Sequence, residues 1–299
     1  MKFGLQISSF TWPGGAREIG PTLARVCRAA EDAGFDSIWV MDHLFQIRGV
    51  GRVEEPMLEG WTALGYMAAH TQRARIGLMV GGIHYRQPGI WLKAATTLDV
   101  LSGGRAWLGL GAAWNEEESR GLGFEFPPLG ERFEMLEDTL RIAHEMFEGD
   151  LGSQRGLRGR HYQPTRLLNS PQSISRPRIP IMIGGGGERK TLRLVAQYGD
   201  AANVFGGPER IHHKWQVLKA HCEAVGRPYE EIERSTLQGG LDVRADGAGG
   251  AESPARVVDR FGELGDAGAQ HILFSVKDVW QTDRLELLGS TVIPQLRGA

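Results

Sequence analysis

The chain has 299 residues, of which 41% are hydrophobic and 23% charged, and its 34 basic and 36 acidic side chains give a formal net charge of −2. This balance is typical of a globular protein and excludes the strong positive charge that favours nucleic acid as a partner. Residues 1–7 begin directly as a strand, without a signal-peptide pattern, and no apolar run is long enough to cross a bilayer. We therefore expect a cytoplasmic protein that acts on a small molecule, with no membrane or nucleic-acid partner.

β-rich runs alternate with amphipathic helical patterns along the whole chain. In chain order, the predicted strand–helix pairs are 2–8 with 18–33, 37–41 with 61–71, 75–80 with 89–101, 105–110 with 131–148, 179–183 with 189–196, 201–205 with 209–225, 234–244 with 255–267, and 270–276 with 284–296. Eight pairs in a chain of this length predict a (β/α)8 TIM barrel, whereas a doubly wound sheet would need fewer strands.

The barrel is predicted to be one domain, residues 1–299, with insertion segments at about 46–60 and 149–178. Long connections of this kind are usually functional lids or surface excursions, and we expect the second to cover part of the barrel mouth. The two cysteines, Cys27 and Cys222, both fall in helical patterns. Cys27 shares a helix face with Leu23 and Val26, which indicates core packing rather than redox or metal chemistry.

A run of four glycines, Gly184, Gly185, Gly186 and Gly187, follows the fifth predicted strand and precedes a helical pattern. Residues without a Cβ let the backbone approach an anion closely, and a helix N-terminus offers free N–H groups. The run therefore predicts a phosphate cradle, with a tight strand-to-helix turn as the alternative. It is not a dinucleotide fingerprint, because the G-x-G-x-x-G spacing is absent.

In a TIM barrel, ligands bind where the strands end. The residues that follow the predicted strands include Trp12, Asp42, His43, Gly81, Gly82, His84, Trp114, Asn115 and Asn203. This set contains no lysine placed for a Schiff base, no carboxylate cluster for a metal and no nucleophile elbow. We do not expect metal ligation at His212–His213, nor at Glu116–Glu118, a triplet predicted to open a helical turn toward solvent. A mouth with so few reactive groups indicates that a cofactor supplies the chemistry.

The pair Asp42–His43 is the strongest catalytic candidate, because histidine exchanges protons near neutral pH. Adjacent residues on a strand point to opposite faces, so one of the two is expected to face inward while the other supports the backbone. A structural histidine is the alternative. Gly81–Gly82 marks either a bulge or a close approach of the backbone to a ligand, with flexible packing as the alternative.

Six segments carry a family resemblance: WVMDH at 39–43, YRQP at 85–88, TLDVLSGGR at 97–105, GLGAAWNEEE at 109–118, FPPLGERF at 126–133 and IGGGGE at 183–188. Together they resemble the bacterial luciferase-like monooxygenase superfamily, especially its deazaflavin (coenzyme F420)-dependent oxidoreductases. Flavin-dependent relatives share several of these motifs, so FMN is the alternative cofactor.

The resemblance implies a flavin-like ring lying across the strand ends, with His43 near its reactive edge and Asp42 beside it. It also implies a non-prolyl cis peptide at Gly81–Gly82. The implied cofactor contacts are Gly81, Gly82, Asn115, Gly184, Gly185, Gly186, Gly187 and Glu188, and the implied substrate pocket is Trp12, His84 and Trp114. Trp114 stands about where some members carry a proton-transferring glutamate, so we expect an apolar or aromatic substrate surface.

Three functions follow from these features. The first is hydride transfer between F420 and an organic substrate, and the second is an FMN-dependent monooxygenase fed by a separate reductase. The third is a non-enzymatic binding barrel, which the Asp42–His43 pair disfavours. A homodimer is left open, and the substrate is not readable from the variable loops.

Overall fold

The strands of the computed structural model, which describes residues 1–297, form a closed parallel barrel. They are β1 Lys2–Ile7, β2 Ser37–Val40, β3 Arg75–Leu78, β4 Gly81–Gly82, β5 Ala106–Gly111, β6 Ile181–Gly184, β7 Ala201–Phe205, β8 Glu233–Leu241 and β9 His271–Val276. Their order is β3-β2-β1-β9-β8-β7-β6-β5-β4, and a direct pairing of β3 with β5 closes the ring. Because β4 continues β3 after a short break, the barrel has eight strand positions, and the predicted (β/α)8 fold is confirmed.

Helices surround the barrel and bury their apolar faces against it. In α1 the buried side chains include Leu23, Val26 and Cys27, as the helical periodicity predicts. The last predicted helix is two helices, because Pro294 has no N–H to continue the first one. No helix within residues 1–297 is both long enough and apolar enough to span a membrane. The helices are α1 Ala16–Asp32, α2 Gly60–Ala69, α3 Pro88–Leu101, α4 Glu116–Gly121, α5 Leu129–Met146, α6 Thr191–Tyr198, α7 Pro208–Val225, α8 Pro254–Asp266, α9 Asp283–Thr291 and α10 Ile293–Arg297.

Large side chains fill the interior of the barrel. Trp39 and Trp107 meet edge to face, with ring centroids 6.0 Å apart, and they pack with the buried side chains of Met182 and Leu273. Gly77 makes room for them, since a Cβ there would lie 2.8 Å from the Trp39 ring. The interior is therefore a packed core, and a ligand can reach the barrel only at its ends.

A polar network, here called the bottom network, closes the N-terminal end of the barrel. His271, at the start of β9, bonds Ser37 Oγ through Nε2 at 2.9 Å and Glu233 Oε1 through Nδ1 at 2.8 Å. Glu233 also accepts a hydrogen bond from Lys2 Nζ at 2.6 Å, and Ser37 Oγ accepts one from Trp39 Nε1. Burial alone would raise the pKa of Glu233, but hydrogen bonds and charge from His271 and Lys2 outweigh it and lower the pKa to about 2.

The break between β3 and β4 corrects one expectation. The non-prolyl cis peptide joins Met79 to Val80 and not Gly81 to Gly82. The two glycines instead continue as a strand that pairs with β5. Both are buried, and a Cβ at either would collide with an aromatic ring, that of Trp91 for the first and Tyr85 for the second. Their missing side chains make room for protein, so the structure does not support them as cofactor contacts.

Val80 lies over three glycines, Gly109, Gly111 and Gly184, here called the glycine floor. A Cβ at Gly111 or Gly184 would lie 2.8 or 2.7 Å from a Val80 methyl group, and one at Gly109 would lie 3.3 Å away. Gly184, the first of the four glycines predicted to form the phosphate cradle, must therefore lack a side chain because Val80 occupies that space. Val80 itself remains partly exposed, so the glycine floor and Val80 form a flat surface on the β4–β5–β6 side of the mouth.

The two long connections lie on different parts of the barrel. Residues 46–59 lie over the mouth, where Gln46 Nε2 donates to Ser8 O at 3.0 Å and Arg48 pairs with Glu117 at 3.1 Å. Residues 147–180 instead bond α3 and α5, for example through the backbone N–H of Ile174 to Asp99. Within the described residues, no hydrogen bond joins this second segment to the loops at the mouth, and its residues 160–162 bond the outer helix α5. The structure therefore does not support the expectation that the segment covers the mouth.

Candidate active site

A histidine–glutamate pair lies at the C-terminal mouth of the barrel, here called the mouth pair. His43, three residues after β2, bonds Glu118 Oε1 through Nδ1 at 2.5 Å. The other oxygen of Glu118 accepts the backbone N–H groups of Leu44 at 2.7 Å and Phe45 at 3.1 Å. Within residues 1–297, no hydrogen bond engages His43 Nε2, and the imidazole is 14% exposed. The pair therefore offers one free ring nitrogen at the mouth.

The Glu118 carboxylate stays ionised despite complete burial. Burial alone would raise its pKa, but hydrogen bonds and charge from His43, together with Tyr85 and the Leu44 N–H, outweigh burial and lower the pKa. Burial first, and the Glu118 carboxylate second, raise the pKa of Tyr85, so that hydroxyl stays protonated. The hydrogen bond between this carboxylate and Nδ1 sets the orientation of the ring.

Asp42 points away from the mouth, as strand alternation allows for one of the two adjacent residues. Its carboxylate pairs with both terminal nitrogens of Arg86 at 2.8 Å and accepts the backbone N–H of Gly82 at 3.1 Å. Arg86 also bonds Glu59, which caps the N-terminus of α2 through the N–H groups of Trp61 and Thr62. These bonds give Asp42 a structural role at the base of the mouth, and the structure does not support it as a catalytic group.

The loop after β5 carries Glu118 into place. Arg132 is buried, and its Nη1 donates to the carbonyls of Ala112 at 3.0 Å and Ala113 at 2.7 Å. Ala113 adopts a φ of 59°, the left-handed conformation that turns the chain toward α4. Trp114 follows with 62% of its surface exposed and its ring edge-on to His43 at 5.5 Å. Asn115 is the N-cap residue of α4 and lines a small cavity next to Trp114 and Glu118.

His84, expected in the substrate pocket, follows β4 and makes its contacts with the segment around α4. Its Nε2 bonds Ser119 Oγ at 2.7 Å, and its ring packs against Tyr85 and Phe126. Burial, and to a lesser degree the charge of Arg132, lower its pKa to about 4. His84 is therefore a neutral packing residue behind α4.

The glycine loop between β6 and α6 fits an anion. The N–H of Gly185 bonds the carbonyl of Asn203, but within residues 1–297 the N–H groups of Gly186 and Gly187 have no acceptor. Gly185 has a φ of 125°, a conformation that side chains rarely adopt. The buried Thr191, at the start of α6, places its hydroxyl beside the loop, 2.9 Å from where a Cβ of Gly187 would lie. Free N–H groups and a hydroxyl at a helix start form a fitting phosphate site.

Glu188 lies beside this loop as half of an ion-pair group. Its carboxylate accepts from Lys214 Nζ at 2.6 Å and His213 Nε2 at 3.0 Å, and these bonds lower its pKa. A contact between Glu188 and a phosphate would therefore run through its backbone N–H, and it stays a prediction. Within residues 1–297, no three His, Cys, Asp or Glu side chains are placed to hold a metal ion.

A second cavity, here called the mouth cavity, opens between the ends of β1, β8 and β9 and beneath residues 49–50. Its volume is about 360 Å³. Trp12 lines it, while Trp114 lines the small cavity beside Glu118, and the assignment of both residues to a substrate pocket stays a prediction. The other side chains that line it are mostly polar and include Gln6, Ser8, Ser9, Thr11 and Ser275.

The most important residue that the sequence pattern did not predict is Glu118. The triplet Glu116–Glu118 does open a short helix, but only Glu116 and Glu117 face solvent. Helical spacing hinted at this, because Glu118 and Ser119 lie on the opposite face from Glu117 and Arg120. The identity of its partner, 75 positions earlier in the chain, becomes visible only in the fold.

Comparisons with known proteins agree with this geometry. Residues 1–248 match the family model of the luciferase-like monooxygenases. The chain is 30% identical over 232 residues to an F420-dependent glucose-6-phosphate dehydrogenase of Nakamurella multipartita, an alignment covering 75% of this chain and 65% of that relative. It is 30% identical over 207 residues to the 4-hydroxyprotoasukamycin monooxygenase of Streptomyces nodosus subsp. asukaensis, covering 67% of this chain and 53% of the relative.

Among solved structures, an F420-dependent secondary alcohol dehydrogenase in complex with an F420–acetone adduct superposes with a TM-score of 0.82. The superposition covers 99% of both chains at 17% sequence identity. At that identity the match shows the shared fold, which agrees with the barrel described above.

Proposed function

The chain belongs to the luciferase-like monooxygenase family, and from that membership we propose that it is an oxidoreductase that transfers a hydride between coenzyme F420 and an organic small molecule at the mouth of the barrel. The observation that carries the proposal is the mouth pair. One nitrogen of His43 is fixed by a buried carboxylate and the other is free at the face where this fold performs chemistry. The similarity to F420-dependent enzymes supports the choice of cofactor.

The residues on the β4–β5–β6 side of the mouth fit this cofactor. The glycine floor with Val80 offers a flat surface for a ring, and the loop at Gly185–Gly187 with Thr191 would hold its phosphate. When bound, a deazaflavin supplies a hydride carrier, because carbon replaces the oxygen-reactive nitrogen of a flavin.

The chain itself supplies proton control. His43 holds or releases a proton at Nε2, beside the substrate oxygen that gains or loses hydrogen. Glu118 fixes Nδ1 and balances the positive charge of the protonated ring. Trp114 covers one edge of the imidazole and limits its contact with water. Arg132 keeps this arrangement in register by holding the loop after β5.

Titration of the protein with the two cofactors tests the proposal. We expect F420 to bind with micromolar or better affinity and FMN at least tenfold more weakly, a difference of about 1.4 kcal/mol. Tighter binding of FMN, with oxygen-dependent turnover, would instead support an FMN-dependent monooxygenase. The similarity to a monooxygenase favours that second candidate, which would also need a reductase to supply reduced flavin.

Gly186→Val tests the phosphate site. A Cβ at this position would lie 3.7 Å from Lys214 Cε, so the fold accepts it, but a branched side chain would obstruct the free N–H groups. We expect F420 affinity to fall at least tenfold, with an unchanged circular dichroism spectrum. Gly207→Val is the matched control, because Gly207 is the N-cap residue of α7 in the neighbouring strand-to-helix loop and has open space around it. Equal F420 affinity in both variants would show that the phosphate does not bind at this loop.

A further inference from the structure

The mouth of the barrel has two halves of different chemistry. The β4–β5–β6 half is formed by the glycine floor, Val80 and the anion-binding loop, and it offers backbone and a flat apolar surface. The β8–β9–β1 half is the mouth cavity, lined by amide and hydroxyl side chains. β2, which leads to His43, lies next to both halves, since it pairs with β1 on one side and with β3 on the other.

Gln6 is the most informative residue of the mouth cavity. Phe3, Leu5 and Ile7 of β1 pack into the outer core, so strand alternation directs Gln6 into the barrel. The side chain is 93% buried, since its relative exposure is 7%. Within residues 1–297 its amide makes no hydrogen bond, although it lines an open cavity. Its amide faces the cavity rather than a protein partner, so it is available to hydrogen-bond a ligand there.

The neighbouring hydroxyls extend this polar wall. Ser8 follows β1 and Ser275 lies on β9, and within the described part of the chain neither Oγ has a hydrogen-bond partner. Ser9 Oγ and Thr11 Oγ1, nearer the opening, are already used by the Thr11 N–H and by Glu55. Three side chains from two adjacent strands therefore offer both donors and acceptors to the same space.

The charges around the mouth cavity are balanced. Of its described lining residues only Lys277 and Asp278 are charged. Lys277 pairs with Asp242 at 3.1 Å, and Asp278 faces Arg284 at 3.5 Å. The lining thus contains no cation that lacks a carboxylate partner, which a phosphorylated substrate would need.

We propose that the mouth cavity is the subsite for the second substrate and that Gln6, Ser8 and Ser275 select a neutral molecule with several hydroxyl or carbonyl groups. The inference rests on the proposed function, because it places F420 in the other half of the mouth. It replaces the apolar or aromatic substrate expected from Trp114, which lines the small cavity beside Glu118 and does not line this cavity.

The test is equilibrium binding of three probes to the F420-loaded protein by calorimetry. The probes are myo-inositol, which is neutral with six hydroxyls, cyclohexanol, which has one hydroxyl on a ring of the same size, and glucose 6-phosphate. We expect myo-inositol to bind at least tenfold more tightly than the other two. Equal or tighter binding of either competitor, or no binding of myo-inositol, would overturn the proposal.

Gln6→Leu removes the amide and keeps the size of the side chain. We expect it to weaken myo-inositol binding at least tenfold while F420 affinity stays within twofold. The variant should fold with an equal or higher melting temperature, because no protein hydrogen bond is lost. Gln216→Leu, on the exposed face of α7, is the matched control. Unchanged probe binding in Gln6→Leu contradicts the subsite. Failure of F420 to bind the wild type would refute the proposed function and this inference with it, whereas loss of probe binding alone leaves the function intact.

Discussion

The barrel carries a histidine–glutamate pair at each end, and the two pairs differ in whether Nε2 of the histidine has a hydrogen-bond partner. In the bottom network, His271 uses Nδ1 for Glu233 and Nε2 for Ser37, and the ring is buried. In the mouth pair, His43 uses Nδ1 for Glu118 and leaves Nε2 without a partner among residues 1–297. The same two side chains thus form a closed network at one end and, within the described residues, leave a ring nitrogen without a partner at the other, where we propose that it transfers a proton. What distinguishes them is whether the fold completes the hydrogen bonds of the imidazole.

The largest expected effect is on turnover. His43→Ala should lower kcat for F420 reduction by about 10²–10⁴, because it removes a positioned acid–base group. F420 affinity should change little, since the phosphate loop is separate. His271→Ala, the counterpart at the other end, should lower thermal stability and leave kcat unchanged. The comparison fails if the two variants lose activity equally. A second variant, His43→Gln, keeps a hydrogen-bond donor for Glu118 but cannot transfer a proton. Wild-type kcat in that variant would also contradict the comparison.

The second effect is on stability in acid. The pKa of Glu233 falls from 4.5 to about 2 on folding, so its contribution is fully present above pH 4.5 and is lost as the pH falls from 4.5 toward 2. At pH 7, Glu233→Gln should reduce the free energy of unfolding by about 3 kcal/mol in urea denaturation. The gap between variant and wild type should close as the pH falls through that window. Glu231→Gln, at an exposed ion pair with Arg227, should show neither effect. A gap that stays constant with pH would assign the loss to packing rather than charge.

The smallest effect concerns the partner of His43. Glu118→Gln keeps an oxygen for the Leu44 and Phe45 N–H groups but removes the charge behind the imidazole. We expect kcat to fall on the order of tenfold, less than in His43→Ala, because the ring remains in place. Glu118→Gln combined with His43→Ala should lose no more rate than His43→Ala alone, since the carboxylate acts through the imidazole. Additive losses in the double variant would limit Glu118 to holding the loop.

The sequence predicted the fold, and single site residues such as His43, better than it predicted the residues that they contact. Strand–helix alternation located eight barrel positions, and His43 could be chosen because it follows β2 at the functional face. Glu118 was missed because the spacing within one short helix separates two faces without showing which of them is buried. At Gly81 and Gly82 the local pattern showed that a side chain is excluded, but not that Trp91 and Tyr85 are the groups that exclude it.

The mouth cavity also lay outside the reach of local patterns. Alternation along β1 indicates that Gln6 faces inward, but its cavity is completed by β9, which pairs with β1 from the far end of the chain. Whether a polar side chain near a strand end has a hydrogen-bond partner depends on such strands, which are adjacent in space but distant in sequence. Unpartnered amides and hydroxyls can be recognised only after the barrel is closed.

The contact of Val80 with the glycine floor links four positions in evolution and in design. A methyl group added at Gly111 or Gly184 would meet the Val80 side chain, so either change is permitted only together with a smaller residue at position 80. Conversely, shortening Val80 alone would open a hollow at the base of the mouth. An engineer who wishes to reshape the mouth for a bulkier ring should therefore vary the valine together with Gly111 and Gly184. Gly109 should stay unchanged, because a Cβ there would also lie 1.9 Å from the carbonyl oxygen of Leu78.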